Sequence, residues 1–178
     1  MTEVHDMDVV RDVLAGDKDR FRILVDRYSG LCRYYFLERW RFDPETAKDL
    51  TQEVFLKAFR SLGTLVPNSS FKAWLMIITR NLAIDHHRRR DSAPTAELPD
   101  VAAPTESLEQ TSVKKLLIKE ALGKLPPRQK EVMELRYLWD LTSAEIGKIM
   151  NLPEGTVRSD LYYARLRMLE LIGPGDRP

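Results

Sequence analysis

The chain has 178 residues, of which 31% are charged and 43% are hydrophobic; this composition is typical of one or two small globular domains and excludes a disordered chain. No apolar run approaches the roughly 20 residues that span a bilayer, and the acidic N-terminus lacks the apolar segment of a signal peptide, so a cytoplasmic location is expected. The formal net charge is only +1, and the single cysteine, Cys32, excludes an internal disulfide and is expected to be a buried thiol.

The first ninety residues show helical periodicity and lack the alternation that half-buried strands require. The pattern predicts helices at about residues 7–14, 18–35, 44–62 and 70–89, with a break at Asp43-Pro44 and a loop before the fourth helix. These segments together predict a helical N-terminal domain over residues 1–90.

The third predicted helix has an apolar face and an opposite, polar face. The apolar face is formed by Leu50, Val54, Phe55, Ala58, Phe59 and Leu62. The polar face carries Asp49, Gln52, Glu53, Leu56, Lys57 and Arg60. Leu56 is the one apolar side chain in the second set. A single exposed leucine usually has no significance, but beside a row of polar residues it also suits the anchor of a partner protein.

The fourth predicted helix is apolar at its start and basic at its end. Its apolar face contains Phe71, Trp74, Leu75, Ile78 and Leu82, whereas Lys72, Thr79, Arg80, Ala83, His86, His87 and Arg90 lie opposite. Residues 80–90 hold four arginines and one aspartate, a net charge of +3. Arginines at a helix end complement the helix dipole; alternatively they line a groove for a nucleic-acid backbone, with Asn81 or His86 reading a base.

The triplet Asp85-His86-His87 also marks a family of metal-dependent phosphoesterases, in which it lies at strand ends among further aspartates. Here it falls in an arginine-rich helix. Adjacent helical histidines point ~100° apart and do not readily share one ion. We therefore expect no metal site, no cofactor and no catalytic group.

Residues 91–111 interrupt the helical pattern. They contain Pro94, Pro99 and Pro104, five acidic residues and no lysine or arginine. This composition predicts a flexible acidic linker. It separates the N-terminal domain from a smaller helical domain over residues 112–172.

The C-terminal segment predicts helices at about 112–122 and 127–138, followed by a helix-turn-helix. Ala144, Ile146 and Ile149 are expected to face inward from its first helix, and Asn151-Leu152-Pro153 forms the turn. In the second helix the apolar stripe is Val157, Leu161, Ala164 and Met168; beside it lie Arg158, Ser159, Tyr162 and Arg165. This basic, aromatic stripe is typical of a helix in the major groove, although charged helix faces are usually only solvated. Asp160 is expected to face phosphates as well, which is repulsive, although an aspartate there could accept from a cytosine amino group.

Three segments together resemble the small extracytoplasmic-function group of bacterial sigma factors, within the sigma-seventy family. DLTQEVFLKAF resembles the helix that binds core polymerase, and FKAWLMIITRNLAIDHHRRR resembles the helix that melts the promoter and reads its minus-ten element. LPPRQKEVMELRYLWDLTSAEIGKIMNLPEGTVRSDLYYARLRML resembles the domain that reads the minus-thirty-five element. Asp160 and Tyr163 depart from the family pattern, where basic residues are frequent.

The resemblance implies an all-α, two-domain protein that is not an enzyme and that directs transcription initiation from specific promoters. It implies core RNA polymerase binding by Asp49, Gln52, Glu53, Leu56, Lys57 and Arg60. Contact with the minus-ten DNA, and its melting, is implied for Lys72, Trp74, Arg80, Asn81, His86, Arg88 and Arg89, with Asn81 and the loop 62–70 holding a flipped base. Contact with the minus-thirty-five DNA is implied for Glu154, Thr156, Arg158, Ser159, Tyr162 and Arg165.

The same resemblance implies an alternative, stress- or envelope-responsive regulator with an anti-sigma factor as partner, without membrane insertion and without a small-molecule substrate. Two other classes remain. A helix-turn-helix regulator that does not bind polymerase would explain residues 127–170 but not the first 90. A phosphoesterase acting through Asp85, His86 and His87 would require abundant strand structure.

Overall fold

The computed structural model describes residues 4–66, 69–91 and 113–172, without the side chains of residues 91 and 113–116. Every regular element in these ranges is helical, which confirms the predicted all-α class. The chain divides into two compact units, Met1–Val101 and Ala102–Pro178. Apart from residue 91, the predicted linker lies outside the described residues. No helix in these ranges is long and apolar enough to cross a bilayer.

The described residues of the N-terminal unit form four α-helices at the predicted places. They are α1 (Asp6–Leu14), α2 (Phe21–Tyr34), α3 (Pro44–Ser61) and α4 (Phe71–Asp91). Short 3-10 turns precede α2 and follow α3. The helical chain of α2 continues through a π-turn at Tyr35–Arg39, which the sequence prediction missed.

The start of α3 is determined by local chemistry. The Asp43 carboxylate accepts hydrogen bonds from the backbone N–H groups of Glu45 and Thr46 at 3.1 and 3.0 Å. Pro44 occupies the first turn, where its missing N–H costs nothing. The predicted break at Asp43-Pro44 is confirmed as a helix N-cap.

The predicted apolar face of α3 is buried except at its edge. Leu50, Val54, Phe55, Ala58 and Leu62 are at most 7% exposed. Phe59 is 38% exposed, and its ring packs edge-on against Phe21 of α2 at 5.1 Å. The core of this unit is formed by α1, α2, α3 and α4 together.

The buried face of α4 is wider than predicted. Thr79 and Ala83, which the sequence analysis places on the polar face, are completely buried. The Thr79 hydroxyl donates to the Leu75 carbonyl at 2.9 Å and lies 3.6 Å from the Cys32 sulfur in α2. The prediction was wrong because α4 also packs against α2, near Cys32, which buries small side chains on one side of the predicted apolar stripe.

The C-terminal unit contains α5 (Val113–Gly123), α6 (Pro127–Tyr137), α7 (Ser143–Met150) and α8 (Glu154–Ile172). Helix α8 packs against each of the other three. The predicted stripe of α8 is confirmed as core, since Val157, Leu161, Ala164 and Met168 are at most 9% exposed. Trp139 and Leu141, between α6 and α7, are buried beside it.

Helix α7 begins and ends at well-defined caps. Thr142 and Glu145 form a capping box at its start. Asn151 ends it in the left-handed conformation, with φ of 55°. The prediction for Ala144 was wrong: Ala144 is exposed, and Gly147 occupies the inward position. The reason is periodicity, because at about 100° per residue Ala144 lies roughly 160° and 140° around the helix from the buried Ile146 and Ile149.

Candidate interaction surfaces

The outward face of α3 is arranged as predicted. All six predicted residues, Asp49, Gln52, Glu53, Leu56, Lys57 and Arg60, are exposed. Lys57 and Glu53 form an ion pair at 3.2 Å, and the Leu56 side chain stands beside it with 56% of its surface exposed. The exposed part of the apolar Leu56 side chain, which lies among charges, is therefore not covered by any side chain in the described part of its own unit.

Leu56 is one wall of a groove between α2 and α3 with a volume of about 770 Å³. Its apolar lining comes from both helices. The lining residues are Lys18, Asp19, Phe21, Arg22, Val25, Ser29, Thr51, Gln52, Phe55, Leu56 and Phe59. The sequence analysis missed the contribution of α2. Phe59 was the residue that could have indicated this contribution. It lies at the edge of the apolar face of α3, where a side chain from another helix is needed to cover it.

The predicted DNA-contacting residues of α4 fall into two groups by exposure. Asn81, Arg88 and Arg89 are exposed, whereas Lys72, Trp74, Arg80 and His86 are half-buried. The Trp74 ring packs against Phe71 at 5.8 Å. Arg88 and Arg89 lie toward the end of the helix, where three consecutive arginines occur, whereas Asn81 lies at its middle.

Asn81 lines a second cavity, of about 430 Å³, which lies between α3 and α4. Lys57, Arg60 and Ser61 line it from α3, and Asp85 lines it from α4. None of the described residues of the loop 62–70, which the resemblance pairs with Asn81, lines this cavity. The cavity is instead bordered by two residues predicted for polymerase binding.

The two histidines of α4 pack against aromatic rings from the segment between α2 and α3. The His86 ring lies 4.8 Å from Phe42, and the His87 ring lies 5.4 Å from Trp40, both edge-on. Asp85 pairs with Arg88 at 3.2 Å. The three side chains of the triplet thus point in different directions. The described residues include no group of three or more His, Cys, Asp or Glu side chains that could hold a metal ion.

The outward face of α8 carries the residues predicted to contact DNA. Glu154, Arg158, Ser159, Tyr162 and Arg165 are exposed, and Thr156 is half-buried. Two of the arginines already have partners.

Arg158 hydrogen bonds to Glu154 at 2.5 Å. Arg165 donates from Nε to the Tyr137 hydroxyl at 2.8 Å and lies over that ring. The Tyr162 and Tyr163 rings meet edge-on at 5.4 Å.

Asp160 does not face phosphates, and that expectation was wrong. It is 4% exposed and pairs with Arg128 of α6, with contacts of 2.7 Å (Nε to Oδ2) and 3.0 Å (Nη2 to Oδ1). The hydrogen bond to Asp160, together with its charge, raises the pKa of Arg128. Position 160 lies three residues after Val157 and four before Ala164, so it shares their buried side of the helix.

Two family descriptions match the chain, one in each unit. The description "Sigma-70 region 2" matches residues 24–93, and "Sigma-70, region 4" matches residues 115–168. The first match covers most of α2, all of α3 and the basic helix α4, which a lone helix-turn-helix regulator would not explain. These are the two helical modules of a sigma factor.

Curated relatives specify the group. The extracytoplasmic-function (ECF) RNA polymerase sigma factor SigW of Bacillus subtilis is 30% identical, over 88% of this chain and 90% of its own. The RNA polymerase sigma-H factor of Pseudomonas aeruginosa is 31% identical, over 93% and 92%. The ECF sigma factor BldN of Streptomyces coelicolor is 35% identical over 96% of this chain, which spans 66% of that relative. The chain belongs to the ECF RNA polymerase sigma factors.

Solved structures show the same fold. CnrH, solved with the cytosolic domain of CnrY, matches 96% of this chain and 99% of its own, with a TM-score of 0.64 and 19% identity. RpoE of Bartonella quintana, solved with the anti-sigma factor NepR, matches 88% and 98%, with a TM-score of 0.62 and 23% identity.

Proposed function

We propose that this chain binds core RNA polymerase in the cytoplasm and directs it to specific promoters. Sigma factors are not enzymes, and the chemistry of transcription belongs to the polymerase. We assign residues 1–90 to core binding and to recognition and melting of the minus-ten element, and residues 112–172 to the minus-thirty-five element. The observation that carries the proposal is Leu56, exposed beside an apolar groove on an otherwise charged helix face.

The groove between α2 and α3 suits a helix of the polymerase. Apolar residues at i, i+3 and i+4 of an amphipathic helix dock into grooves of this kind. Leu56 and Phe59 offer three-residue spacing on the α3 side. The charges around them, including the Glu53–Lys57 pair, set orientation and the rate of encounter more than affinity. Affinity is therefore expected to depend chiefly on the apolar contacts.

DNA contact rests on two local basic surfaces, because a net charge of +1 gives no general attraction to nucleic acid. One is the arginine-rich end of α4, and the other is the outward face of α8. Arg158 lies in the first half of α8, where helix-turn-helix proteins contact base edges. The tyrosine rings beside it extend the same exposed face.

The core-binding part is tested with two leucines of equal exposure. Leu56 in α3 and Leu14 in α1 are both 56% exposed. Burying a leucine contributes about 2 kcal/mol, so Leu56→Ala together with Glu53→Ala should weaken binding to core polymerase at least ~10-fold. Leu14→Ala should leave it unchanged. Equal affinities of all three proteins in a fluorescence titration with core polymerase would refute this surface.

The whole function is tested by run-off transcription. Core polymerase reconstituted with the chain should initiate from discrete sites on genomic DNA, and core alone should not. Sites selected by this holoenzyme should share two sequence elements. A chain that binds DNA but gives no transcript with core would instead support the regulator without polymerase binding.

We further propose that an anti-sigma factor restrains the chain as part of a stress or envelope response. The support is the Bartonella RpoE, which shares the fold and was solved with the anti-sigma factor NepR. A protein that co-purifies with the chain from its native cells should lower run-off transcription when it is added back. A co-purified protein that leaves the transcript unchanged would contradict this role.

A further inference from the structure

The turn that joins α2 to α3 contains a strained arginine. Arg41 has φ of 54°, in the left-handed region. The other non-glycine residues with positive φ in the described ranges are Asp140 and Asn151, which are types that adopt this conformation readily. Arginine does not, because its Cβ crowds the backbone. Strain of this kind is retained where neighbouring structure imposes it and is concentrated at functional sites.

The neighbouring structure that imposes it is α4. The two residues flanking Arg41 place their rings on consecutive histidines of α4: Trp40 on His87 at 5.4 Å and Phe42 on His86 at 4.8 Å. The Phe42 N–H also donates to the Phe36 carbonyl at 3.2 Å, across the π-turn. With residues on both sides held against α4, the Arg41 side chain is left 67% exposed.

This contact brings Arg41 beside the basic end of α4. On that helix Arg90 lies four residues after His86 and three after His87, so it shares their face, and Arg89 lies beside it; Arg88 and its partner Asp85 lie on the other side. Two acidic groups lie close to Arg41 along the chain. Glu38 is 3.8 Å from Arg41, an ion pair beyond hydrogen-bond length, and the exposed Asp43 carboxylate caps α3. Arg41, Arg89 and Arg90 together outnumber these two acids by one.

We propose that Arg41 contacts a phosphate of duplex DNA, so that the turn between α2 and α3 forms a second contact beside the end of α4. This inference rests on the proposed function and extends it, because every segment predicted for the minus-ten DNA lies at or beyond the loop 62–70. A glycine at position 41 would cost less conformational energy than the arginine. The strain is retained because the arginine places a cation next to the arginines of α4.

DNA fits this surface better than a protein partner does. Protein interfaces depend on buried aromatic anchors at their centre, yet the Phe42 ring is 3% exposed, and the Trp40 ring is half-buried against His87. What the turn offers outward is a guanidinium with five donors, among cations of the same sign. Such a group binds phosphate well, and phosphate contacts fix the position of a protein on the duplex.

The test uses the holoenzyme with a promoter duplex recovered by run-off selection. Arg41→Gly removes the cation and also relaxes the backbone, so its thermal midpoint should be equal to or above that of the wild type. Arg41→Lys keeps the cation. Arg11→Ala is the matched control, because Arg11 is 74% exposed and pairs with Asp8 three residues before it, as Arg41 pairs with Glu38.

Arg41→Gly should reduce the slope of log affinity against log salt by about 0.9, the contribution of one phosphate. Raising salt from 50 to 200 mM should then weaken binding by a factor about 3.5 smaller than for the wild type. Arg41→Lys should restore the slope, and Arg11→Ala should not change it. Titration with core polymerase should be the same for all four proteins.

An unchanged salt slope for Arg41→Gly, with the wild type transcribing normally, would overturn the Arg41 proposal alone. A lower affinity of Arg41→Gly for core polymerase would also overturn it, since the arginine would then serve the protein interface. If the wild-type chain gives no transcript with core polymerase, the proposed function fails, and the Arg41 proposal fails with it.

Discussion

Gly147 allows the helix-turn-helix to pack closely because it has no side chain. A Cβ atom there would lie 2.7 Å from the Leu152 carbonyl oxygen, about 0.6 Å inside normal carbon–oxygen contact. That oxygen belongs to the turn between α7 and α8. The turn cannot retreat easily, because the N–H groups of Asn151 and Leu152 both donate to the Gly147 carbonyl. Gly147→Ala must therefore push the start of α8 away from α7.

The expected loss is the cost of overpacking, about 1–3 kcal/mol. For a unit of this size, that lowers the thermal midpoint by roughly 5–20 °C. Gly155→Ala is the control within the same motif. Position 155 is helical and has no atom within 4 Å of its added Cβ, so alanine should be neutral or should stabilise by up to ~1 kcal/mol. The same substitution should have opposite signs eight residues apart.

Hydrogen exchange read by mass spectrometry on the full chain resolves this unit from the other. Peptides from α7 and α8 should exchange faster in Gly147→Ala and at equal or lower rates in Gly155→Ala, whereas peptides from α2 and α3 should be unchanged in both. If both variants protect α7 and α8 as well as the wild type does, the contact at Leu152 does not limit packing and the reasoning is refuted.

Three further predictions concern single side chains. Arg158→Ala should relax the upstream sequence preference of the holoenzyme and cost ~1–3 kcal/mol of binding free energy at the preferred element. Arg167→Ala should instead weaken binding to all sequences alike. A uniform loss for Arg158→Ala on a promoter library would contradict base reading by Arg158. A hydrogen bond from the Thr46 hydroxyl, and then those from backbone N–H groups, lower the pKa of Asp43. Asp43→Ala should therefore remove about 1 kcal/mol of stability at pH 7. This difference should disappear as pH falls through the lowered pKa of Asp43. Thermal melts of both proteins from pH 7 to pH 2 measure this, and a constant difference would contradict it. Burial raises the pKa of the Cys32 thiol to about 12, so a thiol reagent at pH 8 should label it only after unfolding; rapid labelling of the native protein would place the thiol at the surface.

The helices could be predicted from the sequence because their signals are local. Asp43-Pro44 and the Thr142–Glu145 capping box each act within four residues of the helix they start. The mistakes on burial have a different origin. Asp160 is charged, and its burial is explained by Arg128, 32 residues earlier. Thr79 is polar, and its burial depends on Cys32, 47 residues earlier. Periodicity along one helix carries no information about such partners.

The interaction surfaces show the same division. The outward residues of α3 follow from its own periodicity and were predicted one by one. The groove beside them needs Phe21 and Val25 of α2, and neither the periodicity of α3 nor the resemblance pointed to that helix. Likewise, Arg165 was predicted as an outward residue of α8, but its hydrogen bond to Tyr137 spans 28 positions. A face can be predicted from one helix, whereas a groove or a pair requires the fold.

The near-neutral charge of the chain makes its few basic groups individually important. Electrostatic affinity for DNA grows with the number of phosphates neutralised, and here 27 acidic residues offset all but one of the 28 lysines and arginines. A chain of this kind gains little from bulk attraction, so promoter binding must depend on a small number of placed cations at the end of α4, on α8 and, as we propose, at Arg41. Removing one of them changes a large share of the salt dependence, whereas in a strongly basic protein it would change little. The relevant property is therefore where each arginine is held, and in this fold the edge-on ring pairs of Trp40 with His87 and Phe42 with His86 hold one such position.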